Sequence, residues 1–503
     1  MLFHKTLFIK VSSNEKTSRS YNSQYQKKLL KKEKKRQKKL KKAENAAQKR
    51  KQTELVYIIY TTITHHFPEL LNWMREIDDC RKKASPYELA THLTACLAMF
   101  LFKSGSRNGY NNLRKDLQFQ QNYEKLFKLP MPHGDSVHNV IESLDESQLE
   151  ILKQKMVQVL LARKTFHKSR YLNKWFRVAV DGSGAVSYKY KHSAKCLHKT
   201  SKNGITSYFY SVLEARLVTP NGFSISLATE WIENPEGEYD KQDCERKAFK
   251  RLAAKLKKSY PRLPIIILAD GLYPYEGFFA ICELNQWAYQ CTFKEGNLKT
   301  IWDEVQGLSA IGANKTHRTS HYEPTTKDCK KQIVRAYQWI NDIDYNGRRI
   351  NWLQCHEVIT WTKESKDGVK EEKSKEATFV HITNLVQDGK IIEQASSTGR
   401  LRWKIENEGF NTLKNGGYGM EHKWARKSYQ GLKNYFQFMQ MAYLINQLVV
   451  KRTSFQEEYL HDANHPTLMS IWSDLIAAMK WAKLKAHKLS KILDTKIQFR
   501  FVT

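Results

Sequence analysis

The sequence predicts an α/β protein, a mixed sheet flanked by helices, with a helical domain before it and a β-rich insertion within it. Three observations carry that reading. Apolar residues recur at spacings of three and four from Glu54 to about Lys168. At Trp175 the pattern turns to short, β-branched runs, and strand-like and helical runs then follow each other as far as Phe293. At 503 residues, 41% of them hydrophobic, the chain is too long for one ordinary core and rich enough in apolar side chains to build roughly two to four units.

Residues 1–53 come first and read as a basic, flexible arm. They hold 18 Lys and Arg against 3 Glu, a net +15 of the chain's +33. The run KKLLKKEKKRQKKLKKAENAAQKRKQ has no apolar face wide enough to pack. Residues 54–170 read as a helical domain, from ELVYIIYTTITHHF, SPYELATHLTACLAMFLFK and DESQLEILKQKMVQVLLARK. Ser85 is its clearest expected N-cap, with Pro86 at the first helical position and Glu88 three residues beyond the cap. His65 and His66, beside Phe67, are expected as ordinary core or surface histidines.

Residues 171–306 hold the first part of an α/β core. WFRVAVDG is a strand ending in Asp-Gly, and YFYSVLEARLVTPNGFSISLATEWI is a hairpin turning at Pro220-Asn221-Gly222. A helix from Asp243 to Tyr260, the buried strand PIIILAD, a helix from Tyr275 to Asn285 and the strand AYQCTF complete it. That element order is the one found in RNase H-like cores. Residues 307–385 read as the insertion, a hairpin turning at Asn346-Gly347 with a second turn at Lys366-Asp367-Gly368. Its Trp339, Trp352 and Trp361 are expected to pack on a strand face rather than to stack on bases. Residues 386–450 return to helix and to the core, and residues 451–503 form a helical tail.

A pI near 9.6 favours a polyanionic partner. The best apolar stretch, Leu89 to Phe102, falls short of the roughly 20 residues a membrane span requires. The N-terminus lacks the apolar segment of a secretory signal. Eight scattered cysteines without a CxxC pair argue for buried free thiols in a reducing compartment, not for zinc or disulfides.

Two aspartates stand in equivalent places: Asp181 ends RVAVD and Asp270 ends IIILAD, each followed by Gly. Carboxylates at the C-terminal ends of sheet strands point into the crevice where α/β proteins bind ligands. With Arg177 as the nearest basic residue in sequence, both read as unpaired, and two such charges are costly together unless a cation lies between them. Asp-Gly after a strand is also ordinary turn chemistry. A third carboxylate is Glu406 in Arg402-Trp403-Lys404-Ile405-Glu406, with Arg402 one turn before it; Glu408 is the rival. Asp243 and Glu245, at a helix start, read as capping acids before they read as neighbours of the site.

The stretches VAVDGSG, IIILADGLYPYEGF, FVHITNL and RWKIENEGFNTLK, in that order, resemble the DDE transposases of bacterial insertion sequences whose RNase H-like core is interrupted by β-strands. The resemblance runs from about residue 131 to 448. It implies that Asp181, Asp270 and Glu406 are the catalytic and metal-binding triad, holding two Mg²⁺ ions for which Mn²⁺ can substitute. It implies cleavage at transposon ends and transfer of a 3′-hydroxyl into target DNA. Double-stranded DNA (terminal inverted repeats and target) would be the partner, the synaptic complex would be a homodimer, and the location would be the bacterial cytoplasm, at the nucleoid. Arg402 and Lys414 would contact DNA. The family's signature around the glutamate carries a tyrosine where this chain has Gly399, and its lysine falls one place late, at Lys414. A metal-dependent nuclease on the same fold, or an inactive DNA-binding copy, are the alternatives.

Overall fold

The computed structural model describes residues 18–81, 85–237, 241–324, 330–364, 370–461, 465–494 and 499–501. They form a mixed α/β structure around one ten-stranded sheet. The strands are β1 Phe176–Tyr188, β2 Leu197–Thr200, β3 Thr206–Val218, β4 Ser224–Ile232 and β5 Ile265–Ala269, followed by β6 Ala288–Thr292, β7 Lys315–Pro324, β8 Lys330–Tyr345, β9 Arg348–Glu364 and β10 Lys370–Thr383. Their order is β2-β3-β1-β5-β6-β10-β9-β8-β7, with β4 also on β3.

β1, β5 and β6 are parallel neighbours and all other pairings are antiparallel. The parallel centre is buried on both faces, which is why IIILA reads as an unbroken apolar run rather than an alternating one. The β3–β4 hairpin turns with Gly222 at φ +86°, and the β8–β9 hairpin with Asn346 and Gly347 at φ +52° and +77°, as Asn-Gly in a primed turn requires.

The insertion is not a separate body. β10 pairs with β6 through His381↔Thr292, Ile382↔Cys291 and Thr383↔Gln290, so the core sheet runs on directly into β9, β8 and β7. β7 has no counterpart among the expected elements, because KTHRTSHYEP offers no apolar alternation to read. The expected turn at Lys366-Asp367-Gly368 lies outside the described residues. Trp339 and Trp352 are buried and Trp361 half-buried.

The expected boundary at residue 53 is absent. One helix, Ser18–His66, passes from the basic arm into the core, where Leu55 to Tyr60 are buried. Ala, Lys, Gln, Glu and Arg are all strong helix formers, so the run continues the helix instead of hanging loose. Residues 1–17 lie outside the described residues. The helix expected to start at Ser85 starts at Leu89, with Glu88 at the N-cap. The Ser85 hydroxyl instead accepts from the Tyr87 amide at 3.3 Å, a local turn that competes with capping.

Helix Tyr429–Val450, buried almost throughout, ties the helical layer to the sheet. Its Asn434 donates to the Ile141 and Leu144 carbonyls at 2.6 and 2.9 Å. Its Gln440 accepts from the buried Arg216 of β3, and its Gln447 binds both the amide and the carbonyl of Ser224. The C-terminal tail packs back as well, with Asn122 donating to the Met479 and Ala482 carbonyls. Among the described residues no helix is long and apolar enough to cross a membrane, and the described cysteines are free thiols.

Candidate functional site

The register of the sheet makes neighbours of two aspartates far apart in sequence. β1 and β5 pair from Phe176↔Ile265 to Ala179↔Leu268, an offset of 268 − 179 = 89 residues. Asp181 and Asp270 are separated by the same 89, so each lies two residues beyond the last paired couple, where β1 and β5 part. Asp181, expected at a strand end, is not at one: β1 continues to Tyr188 on β3, where Ala185, Val186 and Tyr188 are buried. The crevice opens instead where β1 parts from β5, whose last residue is Ala269.

Asp181 is also not unpaired. Its Oδ2 accepts from the Arg402 guanidinium at 2.8 Å and its Oδ1 from the Gly182 amide at 3.0 Å. Burial raises the Asp181 pKa; Arg402 opposes that rise, and the charges of Asp270 and Glu406 add to it. Arg177, the nearest basic residue in sequence, turns away to the Thr398 hydroxyl and the Ser169 carbonyl. Asp270 accepts from the Leu272 amide at 2.9 Å.

Glu406 lies in a π-helical segment, Ile405–Asn411, and is exposed. Its charge is felt at Asp181. Glu408 takes the opposite course: its carboxylate pairs with Lys404 and its carbonyl accepts from the Tyr443 hydroxyl. Of the two glutamates, only Glu406 is felt at Asp181.

A fourth carboxylate joins them. Glu245 is the first residue of helix Glu245–Ser259, whose N-cap, Cys244, makes no side-chain cap. Its carboxylate lies against Gly182: a Cβ there would stand 2.5 Å from Glu245 Oε1, so any larger residue beside Asp181 would displace that carboxylate. The buried Tyr273 hydroxyl donates to Glu245 Oε2 at 3.4 Å. Burial, then the charges of Asp181 and Asp270, push the Glu245 pKa up to about 7. Asp243 is placed otherwise, accepting from Arg251 at 2.6 Å and from the Glu233 amide. Neither acid caps the helix by its side chain, and only Glu245 reaches the crevice. Sequence reasoning underrated it because a Glu in a first helical turn has an ordinary explanation.

Arg402 is nine-tenths buried, its Nε has no hydrogen-bond partner among the described residues, and its guanidinium carbon lies 5.2 Å from the Trp403 ring centre. Lys414 instead pairs with Glu421 at 3.0 Å. Gly399 is enclosed: a Cβ there would stand 2.4 Å from His381 Nε2 and 2.5 Å from Gln290 Nε2. Those side chains fill the space that a larger residue would need. His66 is buried at the end of its helix and His65 stacks on Phe499 at 4.5 Å, both away from the carboxylates.

A hard, oxygen-binding divalent cation suits this donor set, since four crowded carboxylates have Arg402 as their one direct cationic partner among the described residues. No three His, Cys, Asp or Glu side chains among the described residues are close enough as they stand to hold a metal ion. Neither a protein-family model nor a curated protein matches this chain.

Proposed function

We propose that the protein is a DNA transposase with an RNase H-like core, cutting phosphodiester bonds at transposon ends and joining the freed 3′-hydroxyl to target DNA. The observation that carries this is that Asp181 and Asp270 each lie two residues beyond the last paired couple of β1 and β5, with the charges of Asp270 and Glu406 felt at Asp181 and those of both aspartates felt at Glu245. A crevice of carboxylates with Arg402 as their one direct cationic partner among the described residues, in a chain of net charge +33, suits a polyanion brought to the site by a divalent cation.

Asp181, Asp270 and Glu406 would hold a pair of Mg²⁺ ions. Bound there, the ions would activate water or a 3′-hydroxyl on one side of the scissile phosphate and stabilise the leaving oxygen on the other. Phosphoryl transfer asks the protein mainly for positioning and charge neutralisation. Arg402 is suited to both: while Asp181 has no other cation its guanidinium stays on that carboxylate, and its permanent, planar charge suits a phosphate oxygen beside it. Glu245, protonated up to about pH 7, can hold a proton at Oε1 or Oε2 next to the reacting groups. Double-stranded DNA is the proposed partner, with two copies of the chain bringing two ends together, inside a bacterial cell.

The test is a strand-transfer assay with a duplex bearing the element's terminal repeat, in Mg²⁺. Joined product supports the reading. Nicks without joining would make the protein a nuclease on this fold, and binding alone would make it a DNA-binding copy without activity.

A further inference from the structure

The long helix Ser18–His66 carries a charge pattern that its composition hides. Eleven Lys and Arg fall between Lys31 and Arg50. At about 100° per residue, all eleven lie within an arc of about 220° centred near Lys35. The remaining stripe holds Leu29, Glu33, Leu40 and Glu44, including both acids of this stretch, and runs on through Lys51 into the buried Leu55 and Ile58. Every residue from Leu29 to Arg50 is exposed.

Among the described residues the helix is held from Lys49 onward, where the Lys49 ammonium lies 5.2 Å from the Trp481 ring centre. Lys51 binds the Glu458 carbonyl, Gln52 donates to Asp474 at 2.7 Å, and Lys488 pairs with Glu54 at 3.1 Å. The basic stretch therefore leaves the core as a rod about 30 Å long whose direction the core sets.

We propose that the basic face of this rod, with Lys31, Lys35 and Lys42 along its centre, is a docking surface for the phosphate backbone of duplex DNA. Charge complementarity selects that occupant, and the length matches about one helical turn of duplex. A membrane surface is the poorer fit, because a helix lying in an interface buries a broad apolar face opposite its charges, and this stripe sets Glu33 and Glu44 among its leucines. The inference deepens the reading of the chain as a DNA-acting protein by assigning the arm a face instead of a diffuse charge.

The experiment measures affinity of the full chain for a duplex of arbitrary sequence at several salt concentrations, without cleavage. Two variants remove the same charge: Lys31→Gln, Lys35→Gln and Lys42→Gln at the centre, or Lys34→Gln, Arg36→Gln and Lys41→Gln at the edges. Glutamine keeps the helix, which circular dichroism checks. The centre variant should lower the salt slope by about 2.7 and weaken binding roughly a hundredfold near 0.15 M salt; the edge variant should change the slope by less than about 1. Equal losses in both, or none in either, would overturn the face. Loss of binding to phosphatidylserine vesicles in the centre variant, with duplex binding untouched, would overturn the choice of partner. A chain that binds duplex through this face yet never cuts it would refute the transposase reading alone.

Discussion

Replacing Glu245 by Gln should stabilise the cation-free protein at neutral pH and leave it unchanged in acid. Burial and the charges of Asp181 and Asp270 raise this carboxyl from 4.5 to about 7. Between those values the folded chain keeps a proton that the unfolded chain has lost, so stability falls as pH rises from about 4.5 to about 7 and is level above. At about 1.4 kcal/mol per pH unit the full loss is about 3 kcal/mol, and solvent screening at a partly exposed carboxylate cuts it to about 1–2 kcal/mol. Gln keeps the shape and still accepts from Tyr273 but carries no charge to repel its neighbours. Urea denaturation in chelator, for both proteins at pH 4.5 and 8, reads the difference. The variant should be the more stable by about 1–2 kcal/mol at pH 8 and equal to wild type at pH 4.5. Saturating Mg²⁺ should shrink the gap, because a bound cation relieves the same repulsion. Equal stability at pH 8, or a variant weaker at both pH values, would refute the carboxylate crowding argued for the crevice.

Asp181→Asn, Asp270→Asn or Glu406→Gln should each reduce cleavage of an end duplex by more than a hundredfold while leaving its binding intact, whereas Glu408→Gln, which loses only the pair with Lys404, should keep cleavage within a few-fold. Mg²⁺ or Mn²⁺ should support cleavage and Ca²⁺ binding only, and full activity in excess chelator would remove the metal mechanism. Gly399→Ala should cost about 2–4 kcal/mol in urea denaturation, since its Cβ must displace the enclosed His381 and break the Gln290 bond to the Ala395 carbonyl at 2.9 Å. Unchanged stability there would show that His381 and Gln290 can yield.

What the sequence disclosed of this site is what short range and strand pattern can carry. RVAVD and IIILAD were legible as strands because buried parallel strands are unbroken apolar runs, and the Asn346-Gly347 turn because primed turns demand those residues. The pairing of Asp181 with Arg402 was not legible, since 221 residues separate them and only the folded sheet brings the guanidinium to the carboxylate. The continuation of β1 past Asp181 was hidden by Gly182-Ser183-Gly184, which resembles a loop until β3 is seen beside it. Glu245 looked like a capping acid because its local context is one. The basic arm read as flexible for a related reason: a helix without an apolar face gives no periodic signal, even when a buried segment further along holds it.

The chain's two departures from the glutamate signature it resembles both have a local structural counterpart. At Gly399 the space a tyrosine ring would take is filled by His381 and Gln290 from the neighbouring strands, so the glycine and those two side chains form one packing solution. At Lys414 the late position coincides with the π-helical segment. Eight ordinary helical steps would carry Lys414 about 80° round from Glu406. The first five steps lie in Ile405–Asn411, and a π-helix turns with about 4.4 residues, so Lys414 returns to within about 10° of Glu406. By this geometry the π-helical segment sets Lys414 closer in angle to Glu406 than a uniform helix would. Lys414 now rests on Glu421 at 3.0 Å, a half-exposed pair of the kind that contributes little. On the proposed function, a phosphate arriving beside Glu406 would have only that weak contact to overcome to draw the ammonium across.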